Sequence, residues 1–224
     1  MRRRFSCFMA FGLILALGGV VQAQITNGSF ETGTSPGSTF TTLYAGDSTT
    51  ITGWTVNTGS VDYIGGYWNA SDGSRSLDMD GLTPASISTT LSTVAGQTYE
   101  VLFDIAGNSD GPPLIKSLNV SVDSAGSVLQ QQQYSYTLAG HPAIPNLVWQ
   151  QMSYLFQATG TSTVLTFASA DPSTELGSLP AYGAALDNVR VNAVPEPASV
   201  VMCGLAAVMI SGVAFRRGRK AESL

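Results

Sequence analysis

The chain has few charged side chains and almost no cysteine. Charged residues make up 11% of the 224 residues, and the two cysteines, Cys7 and Cys203, lie in apolar runs near the two ends. The region between those runs therefore contains no thiol that could form a disulfide or a thiolate metal site. Its stability must come from packing or from a metal held by oxygen ligands.

Basic residues are scarce in the same region. Residues 24–194 contain three of them, Arg75, Lys116 and Arg190, against 13 acidic residues, so the net charge is −10. Such a surface repels nucleic acid and anionic lipid, and nucleic acid is therefore not expected as a partner. Divalent cations and neutral ligands suit it better.

Recognisable catalytic motifs are also missing. The sole histidine, His141, stands in a proline-bounded loop, and no G-x-S-x-G, H-E-x-x-H or phosphate-binding P-loop occurs. The stretch GDST at 46–49 has no D-x-x-H partner downstream. The sequence thus favours a protein that is not an enzyme.

Both ends have the composition of membrane-directed segments. MRRRF, an apolar stretch from Cys7 to Val21 and a small residue at Ala23 predict a signal peptide over residues 1–23, with an uncleaved anchor as the alternative. The apolar run Ala198–Phe215 would form a transmembrane helix about 27 Å long. The basic residues after it place that end in the cytoplasm and residues 24–197 outside.

A short motif precedes the second apolar run. Prolines keep Val194-Pro195-Glu196-Pro197 extended, and Arg216-Arg217 follow the run. Residues 194–220 resemble the PEP-CTERM protein-sorting signal of Gram-negative bacteria. The resemblance implies an exosortase as partner, cleavage of the tail at the inner membrane, and release to the cell surface or an extracellular polysaccharide matrix. An ordinary permanent anchor is the alternative.

The middle of the chain has the two-residue periodicity of β-strands. Tyr99, Val101, Phe103 and Ile105 share one face, and residues 118–122 alternate likewise. SYLFQA, TVLTFAS and ALDNVRV add strands, whereas QQQQY at 130–134 reads as a loop or strand end. The pattern predicts an all-β fold, a single antiparallel β-sandwich over residues 24–193.

Five ordered motifs carry a family resemblance. They are NGSFE (27–31), GW (53–54), DGSRSLDMDG (72–81), DIAGN (104–108) and LDNVRV (186–191). Together they resemble the choice-of-anchor C family, which is similar to plant cell-wall proteins whose domain has no known function. The resemblance implies a galactose-binding-like jelly roll, often with a structural calcium near the paired termini.

Two acidic residues in these motifs are candidate calcium ligands. If the last strand alternates, Asp187 is in phase with Val189 and Val191 and points inward, where a carboxylate is costly unless it is paired or binds a metal. Glu31 would start the first strand beside it, so the two predict a Ca²⁺ site. The alternative is that Asp187 caps a turn or accepts backbone amides.

The glycine-rich stretch GGYWNASDG is a candidate sugar site. Tyr67 and Trp68 are expected at an exposed rim, where aromatic faces stack on sugar rings, whereas Trp54 is expected in the core. The polar residues that would bind hydroxyl groups are Asn69, Asp72 and Arg75. Core packing of the rim aromatics is the alternative.

Asp78 and Asp80 stand two residues apart. We expect them on a solvated strand face with Leu77 and Met79 buried on the opposite face; a role in acid–base catalysis is the alternative.

Taken together, these features predict an exported, non-catalytic surface or matrix protein that binds polysaccharide. A purely structural matrix protein and a glycan hydrolase acting through Asp78 and Asp80 are the alternatives.

Overall fold

The computed structural model describes residues 25–124, 126–171 and 181–195, and this part of the chain contains strands but no helix. The strands are β1 (Phe40–Tyr44), β2 (Thr55–Thr58), β3 (Ser60–Ile64), β4 (Ser76–Asp78), β5 (Ser86–Ser92), β6 (Thr98–Gly107), β7 (Ile115–Ser124), β8 (Ser127–Thr137), β9 (Gln150–Gln157), β10 (Ser162–Ser169) and β11 (Ala184–Ala193).

The strands form two antiparallel sheets, of six strands in the order β1-β3-β4-β11-β6-β9 and of five in the order β2-β5-β10-β7-β8. The last eight strands pair as one long hairpin rolled on itself: β7 with β8, β6 with β9, β5 with β10 and β4 with β11. This nesting is the jelly-roll topology. The predicted all-β antiparallel sandwich is confirmed.

The core lies between the sheets and follows the predicted alternation. Tyr99, Val101, Phe103 and Ile105 of β6 are fully buried on one face. Phe103 lies at the centre, with its ring centroid 5.2 Å from that of Phe167 on β10 of the other sheet. Burial of these apolar faces is the main stabilising term of a domain without disulfides.

Tyrosine hydroxyls close one side of the sandwich, where the edge strands β8 and β9 meet. Tyr136 donates to the Val148 carbonyl at 2.6 Å, and Tyr154 donates to the Gln130 carbonyl at 2.8 Å. Residues 130–134 lie within β8, so the prediction that they form a loop or a strand end was wrong. The first seven residues of β8 are exposed, so this part of the strand has no buried face that would give a period-two signal.

The segment before β1 is a turn and not a strand. Asn27 and Phe30 have φ angles of 57° and 59°, and the first strand begins at Phe40. Placing Glu31 at the start of the first strand was therefore wrong.

No helix in the described part of the chain is long and apolar enough to span a membrane. The predicted signal peptide and terminal helix, with Glu196, Pro197, Arg216 and Arg217, lie outside that part.

Candidate binding cleft

Asp187 lies on the outer face of the six-stranded sheet, contrary to the predicted alternation. A β-bulge follows it: Asp187 pairs with Asp104 and Arg190 with Leu102, and Asn188 in between has a φ of 52°. The extra residue reverses the phase, so Asp187 and the inward-facing Val191 are on opposite faces. Asp187 is nevertheless fully buried, because the loop around Ser71 covers it.

Asp187 and Glu31 meet at that same loop. Asp187 Oδ2 accepts the amides of Ser71 and Asp72 at 2.7 and 2.9 Å, while Glu31 Oε1 accepts those of Ser74 and Arg75 at 2.8 and 2.7 Å. This is the amide-accepting arrangement given above as the alternative to calcium. Within the described residues, no group of three or more His, Cys, Asp or Glu side chains could hold a metal ion.

Three of the predicted sugar-binding side chains hold the loop of residues 69–75 in place. Asn69 donates to the Leu147 carbonyl at 3.1 Å and accepts the Leu147 amide at 2.6 Å. Asp72 accepts the Ser29 hydroxyl at 2.6 Å. The Arg75 guanidinium lies 5.6 Å above the Tyr63 ring and donates to its hydroxyl at 2.8 Å.

Trp68 is in the core, so its predicted place at an exposed rim was wrong. Only 4% of its surface is exposed, and its indole N–H donates to the Ser76 hydroxyl at 2.8 Å. Its neighbour Tyr67 is half-buried. Trp54 is buried as predicted.

A cleft opens on the outer face of β1, β3 and β4. The register pairs Phe40 with Ile64, Thr42 with Asp62 and Asp62 with Asp78, so these side chains share the face opposite to the core. Loops after β3 and β6 and before β11 form the walls of a cavity of about 180 Å³. Its principal lining residues are Phe40, Thr42, Asp62, Ile64, Tyr67, Trp68, Asp78, Asp110 and Tyr182.

One wall of the cleft is aromatic and fixed in place. The rings of Phe40 and Tyr67 meet edge to face with centroids 5.4 Å apart, and Trp68 supports Tyr67 from behind at 5.8 Å. The Tyr67 hydroxyl donates to Asp110 Oδ2 at 2.5 Å, which ties this wall to the loop after β6. Phe40 remains 39% exposed.

The floor of the cleft is acidic. Asp62 Oδ1 accepts the Thr42 hydroxyl at 2.6 Å, and among the described residues no hydrogen bond reaches its other oxygen, Oδ2. Burial raises the pKa of Asp62, and the bond from Thr42 partly offsets that effect. Asp62 therefore presents an acceptor towards the cleft.

Asp78 ties together the loops around the floor. It accepts the Asn108 amide at 2.7 Å and the backbone amides of Gly183 and Asp80 at 2.9 and 3.0 Å, and burial raises its pKa to about 8. Asp78 and Asp80 are 1% and 2% exposed, so the expected solvated face was wrong. Leu77 and Met79 are buried as predicted.

Most residues of the cleft carry no recognisable signal in the sequence. Phe40, Thr42 and Ile64 have no distinguishing motif, and they meet only because β1 pairs with β3. The available signal was Asp62, a single acid inside the short strand SVDYI, all of whose residues are buried. An acidic residue in such a strand needs a partner or a ligand.

Comparison with known proteins places this domain in a family. Residues 23–192 match the family described as "Protein of unknown function (DUF642)". The chain belongs to this family. Halomucin of Haloquadratum walsbyi (strain DSM 16790 / HBSQ001) is 33% identical over 187 residues, which cover 80% of this chain but only 2% of halomucin.

Solved structures with a similar course of the chain include two sugar-binding domains. The CBM22-1 xylan-binding domain of Paenibacillus barcinonensis Xyn10C has a TM-score of 0.43 at 16% identity and covers 74% of this chain and 99% of its own. TmCBM61, solved with β-1,4-galactotriose, has a TM-score of 0.41 at 15% identity and covers 75% and 96%. Likeness at this level defines no ligand for the present DUF642 domain.

Proposed function

We propose that this protein binds a neutral polysaccharide at the cleft between Phe40, Tyr67 and Asp62, outside the cell. The observation that carries the proposal is the combination of a partly exposed aromatic wall with a carboxylate oxygen free to accept hydrogen bonds. The apolar C–H face of a sugar ring packs on aromatic rings, and its hydroxyl groups donate to carboxylates. Both features lie within one cavity.

The charge of the site selects among sugars. Asp62 and Asp110 line the cavity, and the surrounding region 24–194 has a net charge of −10. Uronic acids and sulfated sugars would be repelled by this field, whereas neutral sugars would not. The volume of about 180 Å³ is below the range of about 300–1,000 Å³ typical of drug-sized ligands. It suits one sugar unit with the rest of the polymer outside.

A binding screen tests this function directly. The purified protein is titrated with neutral oligosaccharides, such as galactan, xylan and glucan fragments, and with uronate-containing ones of the same length. We expect affinity for at least one neutral series and none for the acidic series. If no neutral glycan binds at millimolar concentration, the domain is a purely structural matrix component.

The hydrolase alternative gains no support from the carboxylates on which it depended. Asp78 has both oxygens engaged by amide donors, and β4 ends at Asp78, before Asp80. The two acids therefore do not face a common open cleft as a pair. The proposed role is binding, without catalysis.

We further propose that the chain is exported by residues 1–23, held in the inner membrane by its C-terminal apolar run, and cut by an exosortase near residues 194–197. Supporting contacts lie at the end of the domain. The Val194 amide donates to the Thr98 carbonyl at 2.9 Å, its carbonyl accepts the Gln97 side chain at 2.7 Å, and Pro195 is exposed. The motif thus begins where the chain leaves the sheet.

A further inference from the structure

A second acidic group lies behind the cleft, at the edge between the two sheets. Asp80 follows β4 of the six-stranded sheet, and Asp171 follows β10 of the five-stranded sheet; they are 2% and 8% exposed. Ser169 is near both, because its oxygen accepts the Asp171 amide at 3.3 Å and its side chain partly offsets the burial that raises the pKa of Asp80. In addition to burial, the Asp80 carboxylate raises the pKa of Asp171. The two carboxylates are therefore neighbours across the sandwich.

Within residues 25–124, 126–171 and 181–195, each of these carboxylates has one buried oxygen without a hydrogen-bond partner. Asp171 Oδ1 accepts the Ser117 amide, but Asp171 Oδ2 and Asp80 Oδ1 are buried side-chain atoms to which no other described residue donates a hydrogen bond. Burying a carboxylate oxygen with neither water nor a donor is strongly unfavourable. Two such atoms on neighbouring side chains indicate a missing ligand.

The charges nearby also lack compensation. Lys116 is fully buried and interacts electrostatically with Asp78, Asp80 and Asp171. Its ammonium group, however, donates to the carbonyl oxygens of Gly111 and Tyr182. The lysine therefore gives no hydrogen bond to the two unpaired carboxylate oxygens, which remain available to a divalent cation.

We propose that Asp80 Oδ1 and Asp171 Oδ2 bind a divalent cation, Ca²⁺ by ligand type, with the Ser169 hydroxyl oxygen as a further ligand. Calcium accepts carboxylate and neutral oxygen ligands together, and waters complete its coordination. The cation would join β4 to β10 and so cross-link the two sheets near the cleft. This site is separate from the Glu31–Asp187 pair, whose oxygens accept amide hydrogens from the loop.

The burial effects on pKa agree with this geometry. Without a cation, burial raises the pKa of Asp80 to about 6 and that of Asp171 to about 7, with Asp80 adding to the effect on Asp171. Burial also lowers the pKa of Lys116. Desolvation by burial is the largest cause of all three shifts.

Calcium titration of the purified, chelator-treated protein tests the proposal. Melting temperature and bound metal are measured for the unmodified chain and for Asp80→Asn, Asp171→Asn and Asp187→Asn. We expect calcium to raise the melting temperature of the unmodified chain and of Asp187→Asn by several degrees, with one calcium bound per chain. Asp80→Asn and Asp171→Asn should bind no calcium and show no shift.

The Asn variants have nearly the shape of a protonated aspartate and should fold in chelator. Should either fail to fold, Ser169→Ala supplies the remaining test, with an expected loss of calcium affinity of several-fold. Absence of bound metal and of any thermal shift in the unmodified chain overturns the proposal. A calcium response lost in Asp187→Asn but kept in Asp80→Asn and Asp171→Asn overturns it too, because the ion would then lie at the Glu31–Asp187 pair.

Discussion

Asp187 and Glu31 hold opposite ends of one loop. Asp187 accepts the amides of Ser71 and Asp72, and Glu31 accepts those of Ser74 and Arg75. The last strand and the N-terminal segment are therefore joined through a loop that neither belongs to. This clamp also covers the outer face of the sheet beside the cleft.

Removing the buried end of the clamp should destabilise the domain. Asp187→Ala leaves the amides of Ser71 and Asp72 without acceptors, at a cost of about 1–3 kcal/mol for each that stays buried. We expect a loss of about 3 kcal/mol in the free energy of unfolding in urea. Glu31→Gln, at a half-buried position, is the milder comparison and should cost less than about 1 kcal/mol. Equal losses of unfolding free energy in the two variants would contradict the greater contribution assigned to the buried Asp187.

Asp187→Ala also tests the calcium site that the sequence predicts between Glu31 and Asp187. If an ion is bound there, chelator lowers the melting temperature of the unmodified chain and has no effect on Asp187→Ala. The amide contacts alone predict a lower melting temperature for Asp187→Ala, with its response to chelator unchanged.

Sugar binding should depend on Phe40 and not on Tyr44. Both are exposed aromatic residues on the same face of β1, 39% and 58% exposed, but only Phe40 lines the cavity. Phe40→Ala should weaken glycan binding by at least about tenfold while the melting temperature changes little, because exposed positions contribute little to stability. Tyr44→Ala is the matched control. Equal weakening by both would place the sugar elsewhere.

Trp68 should behave as a core residue. Trp68→Ala removes a buried indole and its bond to Ser76, for which we expect a loss of about 3–5 kcal/mol in the free energy of unfolding. Trp68→Phe fills most of the space and should cost roughly half as much. Denaturant titration measures both. If Trp68→Ala is as stable as the unmodified chain and only binds sugar less well, Trp68 is an exposed sugar-binding residue, as the sequence predicted, and not part of the core.

The sequence predicted central strands well because such strands have one apolar face. β7 shows it clearly, since alternate side chains are buried along most of its length, and β6 shows it over residues 98–103. β8 lies at a sheet edge with its first seven residues exposed, so it has no such pattern. Hydrophobic periodicity in a strand reflects the burial of one of its faces, and an exposed edge strand buries little of either face.

The site could be predicted less well, for two physical reasons. The bulge at Asn188 reverses the face of Asp187, and an asparagine that tolerates positive φ gives only a weak signal of it. The cleft depends on long-range register, since Thr42 meets Asp62 and Asp62 meets Asp78 only through strand pairing. No local window of the sequence contains both members of either pair.

The final prediction concerns the mature ends of the protein. Val194 is held to the sheet by two hydrogen bonds, so a protease that needs an extended segment must cut beyond it, where Pro195 is exposed. Mass spectrometry of secreted material should therefore find a first residue near Gln24 and a last residue between 194 and 198. Replacing Pro195 and Pro197 with alanine should leave the chain uncut and in the membrane fraction, whereas the clamp variant Glu31→Gln should be processed normally. An extracellular product that still carries Arg216 and Arg217 would show that the tail is not a sorting signal.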